Sequence, residues 1–384
     1  MAGDSYVITS LANISTCTAY GSKRRLVRDS SGNLHAVWRD DRGVTEATYY
    51  AKSTDGGQTW GSEAKISSDG VAYTACIAVD SYGHIHVVWY EYMDRGDGIY
   101  RYRARYRKYT TGWGSIFDIA VADNDYYRHP VIAIDDNDVV HVVWVGSDWH
   151  DEDCHVWYRK YTDSWQPAVK ILDGIPDQGN AGPSLAVDSQ GDLHVAWIGE
   201  VGGIGQIRYR KQTSGIWGAI QDLTNDVNDQ YHPCIAIDSN DNLHITWYDI
   251  ADVAIRYIKY DGSWSAIVEL ASGQRPTVAI DRSDVVYVIY VNTTGNHSIR
   301  MRKNDGAWQA EEIIIPVGAN VIDHPIAMWA RHPQHQMVPV SGPGLFVYTS
   351  SNDPYIYVPS DVSYGIASVG GNPTSAKLVA GKLI

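Results

Sequence analysis

The chain has 384 residues, with 45 acidic side chains against 31 basic ones and a net charge of −14. No basic block is present to meet a phosphate backbone, which argues against nucleic-acid binding. No apolar run approaches the 18 or so residues of a membrane-spanning helix. Aromatic residues are plentiful, with 14 Trp and 27 Tyr against two Phe, and Tyr and Trp join a large apolar face to a hydrogen-bonding tip.

The first segment, MAGDSYVITSL, has no basic region followed by an apolar core, so no secretory signal is expected. That reading leaves the localisation unknown, with a virion or the cell exterior after lysis as the options it admits. Within this segment YVITSL (6–11) reads as a strand without a neighbour in sequence.

From there a pattern recurs. An aspartate ends an apolar run, a polar turn follows, and a histidine or tyrosine stands six residues on. The copies start at Asp29 (DSSGNLHAVW), Asp80 (DSYGHIHVVW), Asp135 (DDNDVVHVVW), Asp188 (DSQGDLHVAW), Asp238 (DSNDNLHITW) and Asp281 (DRSDVVYVIY). The second landmarks, His35, His86, His141, His194, His244 and Tyr287, lie 51, 55, 53, 50 and 43 residues apart. An all-β unit of about 50 residues is the mark of a propeller blade.

Each unit reads as four strands. Runs such as CIAVD (76–80) and VIAID (131–135) suit an inner strand buried on both faces. LHVxW forms the second strand after a tight turn. Runs such as IRYRK (207–211) alternate apolar and basic residues, as a half-exposed third strand does. A turn closing on Trp60, Trp113, Trp165, Trp217, Trp264 or Trp308 opens the outer strand.

The expected fold is therefore all-β: a single seven-bladed β-propeller of four-stranded blades over residues 1–358. The blades fall at about 22–70, 71–122, 123–175, 176–226, 227–272, 273–318 and 319–358. The seventh begins near His324-Pro325-Ile326 and is completed by the N-terminal strand (5–11), which closes the ring and removes open sheet edges. Residues 359–384 are left as a C-terminal extension or docking arm. Cys17, Cys76, Cys154 and Cys234 have no paired spacing and read as buried thiols.

Ser53-Thr54-Asp55-Gly56-Gly57-Gln58-Thr59-Trp60 fits the Asp-box pattern S-x-D-x-G-x-T-W, with shortened versions TTGW, DGSW and DGAW in other units. Through this motif and its repeat the chain, over about residues 5–358, resembles the sialidase-like (Asp-box, or BNR repeat) β-propeller superfamily. The resemblance implies that Ser53, Asp55, Gly57, Thr59 and Trp60 are structural and lie opposite the active face. It also implies an arginine triad, a Tyr–Glu pair and an acid Asp in true sialidases. Here the segment of the first arginine is Lys23-Arg24-Arg25-Leu26, without the family's proline. GNLHAVWRDDR (32–42) resembles the stretch bearing the acid, with Asp40 or Asp41 near Arg42.

Strand polarity puts the uniform Asp and Trp turns on one face and the variable loops on the other, where binding belongs. The candidate ligand-binding residues on that face are Arg39, Arg42, Tyr90, Glu91, Arg128, His129, Trp149, His150, Tyr231, His232, Tyr248, Arg275 and His324. Aromatic faces stack on sugar rings, and arginines meet acidic substituents. The catalytic candidates are Asp40, Glu91, Tyr127, Arg128 and His129. A hydrolase would use Asp40 with Glu91 as its two carboxylates, and a lyase would use His or Tyr as base with Arg neutralising a uronate.

The repeated histidines read as structural, each bonded to its own aspartate, since one zinc ion cannot collect ligands from separate blades. The acidic run Asp148-Trp149-His150-Asp151-Glu152-Asp153 reads as a solvated loop, and neither metal nor cofactor is expected. The favoured function is a glycan- or receptor-binding structural propeller, such as a phage tail or capsid appendage whose tail meets other virion proteins. The alternatives are a carbohydrate-active enzyme, hydrolase or polysaccharide lyase, and a scaffold without a glycan role.

Overall fold

The structure, a computed structural model, describes residues 3–7, 25–40, 46–68, 70–94, 98, 100–120, 126–147, 153–176, 182–292, 298–315, 326–327, 346–350, 353–359, 363–365, 375–379 and 382–383. Strands dominate throughout, and no helix of the described residues is long and apolar enough to cross a membrane.

Six antiparallel four-stranded blades follow the repeat. The first holds Leu26–Arg28, Leu34–Asp40, Ala47–Ser53 and Ala64–Lys65, and the last holds Gln274–Ile280, Val286–Asn292, Ser298–Asn304 and Glu312–Ile315. The fold is thus a six-bladed β-propeller, which corrects the expectation of seven blades. Residues 319–358 and 5–11 carry neither the aspartate–histidine hairpin nor the Trp turn that fixes a blade's register. What they contain instead is a further sheet in the order Gly3–Val7, Asp353–Pro359, Phe346–Ser350, Ile326–Ala327, whose last strand is two residues long. Its first pair runs antiparallel, with Gly3 opposite Pro359 and Val7 opposite Tyr355. Ser363–Gly365, Ser375–Val379 and Lys382–Leu383 make a small three-stranded sheet of their own.

The conserved-looking letters of the repeat form one hydrogen-bonded device. In blade 1, Asp29 Oδ1 accepts from the Ser31 and Asn33 amides at 2.9 and 2.8 Å, which caps the hairpin turn. Its other oxygen accepts from His35 Nε2 at 3.1 Å, and His35 Nδ1 accepts from the Tyr50 hydroxyl at 2.7 Å. The chain Asp–His–Tyr recurs as Asp80–His86–Tyr106, Asp135–His141–Tyr158, Asp188–His194–Tyr209 and Asp238–His244–Tyr257. Blade 6 shortens it: the Tyr287 hydroxyl donates directly to Asp281 at 3.0 Å, and Met301 stands where the others have tyrosine.

The Trp turns join blade to blade. Trp113, Trp165, Trp217, Trp264 and Trp308 each set an edge against the triad tyrosine of the preceding blade, with centroids 4.8–5.4 Å apart. Such edge-to-face pairs add about 0.5–1.5 kcal/mol beyond area burial. A third-strand arginine also crosses four of the junctions to a backbone carbonyl of the preceding blade's outer end: Arg107 to Ile66 (2.9 Å), Arg159 to Ile119 (2.6 Å), Arg302 to Leu270 (3.0 Å) and Arg210 to Ile171. Between blades 4 and 5 the arginine is replaced by Ile258, packed in one apolar cluster with Leu223. Inside the blades, Trp38, Trp89, Trp144, Trp197 and Trp247 are fully buried and fill the wedge near the second strand.

Candidate functional site

Away from the Asp turns, the inner strands of blades 3, 5 and 6 open with a kink. His129, His232 and Arg275 hold positive φ of 54°, 55° and 58°, each just before a proline, and each sits in a register shift of its strand pair. A side chain in this region carries a steric cost of order 1–3 kcal/mol, and such positions collect at functional sites. All three stand six residues before a turn aspartate, so the repeat brings them to one face.

Between blades 2 and 3 the kinked strand meets a group of tyrosines. Tyr73 stacks on Tyr90 with centroids 4.8 Å apart and planes 6° from parallel. Tyr102 lies 5.9 Å from both, with Tyr92 beyond it at 4.7 Å and Tyr100 next to Tyr92. The strand register explains the grouping: Tyr90 and Tyr92 alternate along one face of Ile85–Asp94, and Tyr92 is directly opposite Tyr102. Guanidiniums close both sides. Arg39 from blade 1 lies 4.6 Å over Tyr73, and Arg128 from blade 3 lies 4.2 Å over Tyr102. His129 is buried with its ring edgewise to Tyr90, the centroids 5.3 Å apart.

Burial pushes the Tyr73 phenol above its ordinary range, the neighbouring Tyr102 adds to this, and Arg39 and Arg128 pull part of the way back. The phenol therefore stays protonated near neutral pH and serves as a hydrogen-bond donor. The group as a whole is a cation-flanked aromatic surface.

The carboxylates nearby face elsewhere. Glu91 alternates with Tyr90 and Tyr92, is fully buried, and accepts from the Ser68 amide at 2.9 Å and the Ser68 hydroxyl at 2.7 Å, with Arg105 Nε at 3.3 Å. Asp40 is also fully buried, and Arg39 pairs with Glu46. Tyr127, buried beside Arg128, points to the opposite face of its strand from His129's neighbour by simple alternation.

A second group lies between blades 5 and 6. Tyr231 is directly opposite Tyr248 in its strand pair, and Gln274 Nε2 donates to the Tyr248 hydroxyl at 3.1 Å. Burial pushes the Tyr248 phenol up, the Gln274 bond pulls it part of the way back, Asp249 adds to the rise and the Arg275 charge opposes it. The ring of His232 lies 6.1 Å from that of Tyr231. The sequence-selected residues thus separate into two groups, and Arg42, Trp149, His150 and His324 lie outside the described residues.

Sequence reading passed over Tyr73, Tyr102 and Gln274. Tyr73 and Gln274 stand seven residues before a turn aspartate, the register of the chosen Arg128 and Tyr231, so alignment of the units had the signal. Tyr102 had none, because only pairing with Tyr92 reveals its face. Ser53, Asp55, Gly57, Thr59 and Trp60 belong to a self-contained turn: Asp55 accepts from the Thr59 amide at 2.9 Å, the Gly57 amide donates to Ser53 Oγ at 2.8 Å, and Gly56 and Gly57 take positive φ. Among the described residues no group of His, Cys, Asp and Glu is arranged to hold a metal ion.

This architecture defines a β-propeller with a tyrosine- and arginine-lined face. The sequence matches no protein-family model and no curated relative. Among solved structures, a lectin of Burkholderia pseudomallei superposes with a TM-score of 0.64 at 13% identity, covering 94% of this chain and 100% of the lectin. An ulvan lyase of polysaccharide lyase family 25 gives 0.63 at 11% identity over 91% and 94% of the two chains. Its complex with -[GlcA(1-4)Rha3S]- gives 0.60 at 11% identity over 93% and 94%. These likenesses are of fold.

Proposed function

We propose that the protein binds an acidic polysaccharide across the tyrosine surface between blades 2 and 3. The observation that carries this is the stacked pair Tyr73–Tyr90, with Tyr102 tilted beside it, held between the guanidiniums of Arg39 and Arg128. Sugar rings present CH groups to aromatic faces, and uronate or sulfate groups pair with guanidinium. The lectin and the ulvan lyase of similar fold support a carbohydrate ligand, and the ulvan complex supplies a natural probe.

Binding is preferred to hydrolysis on geometry. A hydrolase needs two carboxylates facing its cleft, and Glu91 and Asp40 are buried, with both oxygens of Glu91 engaged. A lyase is the second reading, favoured by the edge contact of His129 with Tyr90 beside Arg128. In that reading Arg128 neutralises the uronate and an imidazole or phenol moves the proton.

The test is titration with a tetrasaccharide of alternating glucuronic acid and 3-sulfated rhamnose, alongside neutral and other acidic polymers. The expected result is saturable binding of acidic chains that weakens tenfold or more in Arg128→Ala. Indifference to every acidic polymer sinks the proposal. Growth of ultraviolet absorbance from an unsaturated product, lost in His129→Ala, selects the lyase.

A further inference from the structure

We propose that the tyrosine group between blades 5 and 6 is a second saccharide subsite, half a ring from the first, so that one chain binds acidic glycan at two places. This rests on the reading of the blade 2–3 tyrosine surface as a glycan site.

The argument comes from register. Four residues after the hairpin histidine or tyrosine, the six blades carry Arg39, Tyr90, Val145, Ile198, Tyr248 and Val291. Tyrosine occurs there in blades 2 and 5 alone. In each case a second tyrosine from the same blade's own opening strand lies alongside: the Tyr73 amide donates to the Tyr90 carbonyl at 2.8 Å, and Tyr231 is directly opposite Tyr248. In each case the next blade's kinked strand delivers a polar pair, Arg128 with His129 or Gln274 with Arg275, the second member at positive φ before a proline. His129 sets its ring edgewise to Tyr90 with centroids 5.3 Å apart, and Gln274 donates to the Tyr248 hydroxyl at 3.1 Å with Arg275 next along the strand. The same four positions thus set two tyrosine pairs beside a polar, basic pair from the next blade. The aliphatic Val145, Ile198 and Val291 build none at the other blades.

Units 2–3 and 5–6 are three blades apart in a ring of six. The second group has one guanidinium and an amide where the first has two guanidiniums, so it binds a uronate-bearing sugar more weakly. Two subsites on one rigid ring raise avidity for a long polymer without any new contact.

Calorimetry with the glucuronic acid–sulfated rhamnose tetrasaccharide reads the number of sites. Two equivalents per chain, falling to one in Arg275→Asn and to one in Arg128→Ala, support the proposal. Asn is chosen because it tolerates positive φ, and Gln274→Ala repeats the test should Arg275→Asn melt early. One equivalent that Arg275→Asn and Gln274→Ala leave unchanged overturns the second subsite and leaves the first standing. One equivalent lost to either arginine substitution overturns it in favour of a single central site. No binding by the parent protein removes the underlying reading and this one with it.

Discussion

The amide of Ser81, in the blade 2 turn, donates to Asp138 of blade 3 at 2.8 Å, and the Ser81 hydroxyl donates to the other oxygen of the same carboxylate. Asp138 is the third residue after the turn aspartate, a position that needs positive φ. Gly32, Gly83 and Gly191 fill it in three blades, and Asp138, Asp241 and Asp284 fill it in the others, with φ of 60–62°. Each of those aspartates clasps a serine of the preceding blade: Ser81, Ser189 and Ser239. The strained backbone is offset by an inter-blade bond that glycine cannot make.

Asp138 substitutions separate the two effects. Asp138→Ala loses the clasp and keeps the strain, so it destabilises by about 1–2 kcal/mol. Asp138→Gly loses the clasp but relieves the strain, and it retains roughly 0.5–1 kcal/mol more stability than the alanine form. Urea midpoints give the order, and an alanine form as stable as the parent removes the clasp from the account.

Blade 6 is a natural experiment on the triad. Tyrosine replaces histidine at Tyr287, and methionine replaces the third-strand tyrosine at Met301. The longer phenol reaches the aspartate unaided and leaves no space for a second ring. In blade 5, His244→Tyr alone therefore collides with Tyr257, and Tyr257→Met alone strands the His244 Nδ1 that now accepts at 2.7 Å. The double substitution recovers stability, with a favourable coupling of about 1–3 kcal/mol. Additive losses in thermal unfolding would falsify this exchange.

How far the sequence was legible follows from such particulars. The Asp–His pairs and the strand order could be read because each depends on one unit's own spacing. The blade count could not: His324-Pro325 mimics the opening of a blade at His129-Pro130, yet no hairpin aspartate follows it. The site was half legible for a similar reason. Arg128, His129 and Tyr90 follow from register within a unit, whereas Tyr102 under Arg128 and the inward turn of Glu91 depend on pairing between strands. Ser81 and Asp138 are 57 residues apart, and no local pattern connects them.

Acid weakens the fold, and the sign follows from the triads. Burial lowers the His35 and His86 pKa values, against the smaller pull of their aspartates. Below the ordinary histidine value of about 6.5, the unfolded chain takes up protons that the folded chain refuses, so stability falls with falling pH. Asp29 adds a second loss at lower pH: burial would raise it, but bonds from His35 and Asn33 hold it at about 2. The net charge of −14 opposes this by self-repulsion, which salt screens. Chemical denaturation in high salt should show lower stability at pH 5 than at pH 8. Equal stability at both leaves the buried imidazoles without consequence.

The proposed glycan binding divides into a charged part and an aromatic part, which salt and mutation resolve. Arg39 and Arg128 contribute attraction that fades as the Debye length shrinks from about 10 Å at 0.1 M salt to about 3 Å at 1 M. The stack of Tyr73 and Tyr90 contributes contact that salt leaves intact. Arg128→Ala should lower affinity for an acidic tetrasaccharide about tenfold, near 1.4 kcal/mol, and flatten its salt dependence. Tyr102→Ala should lower affinity while preserving the salt slope, unless Arg128 swings away with its aromatic support. In that case the slope flattens too, and Tyr102→Phe, which keeps the ring beneath the guanidinium, restores it. A slope identical in the parent and in Arg128→Ala removes Arg128 from the ligand's path.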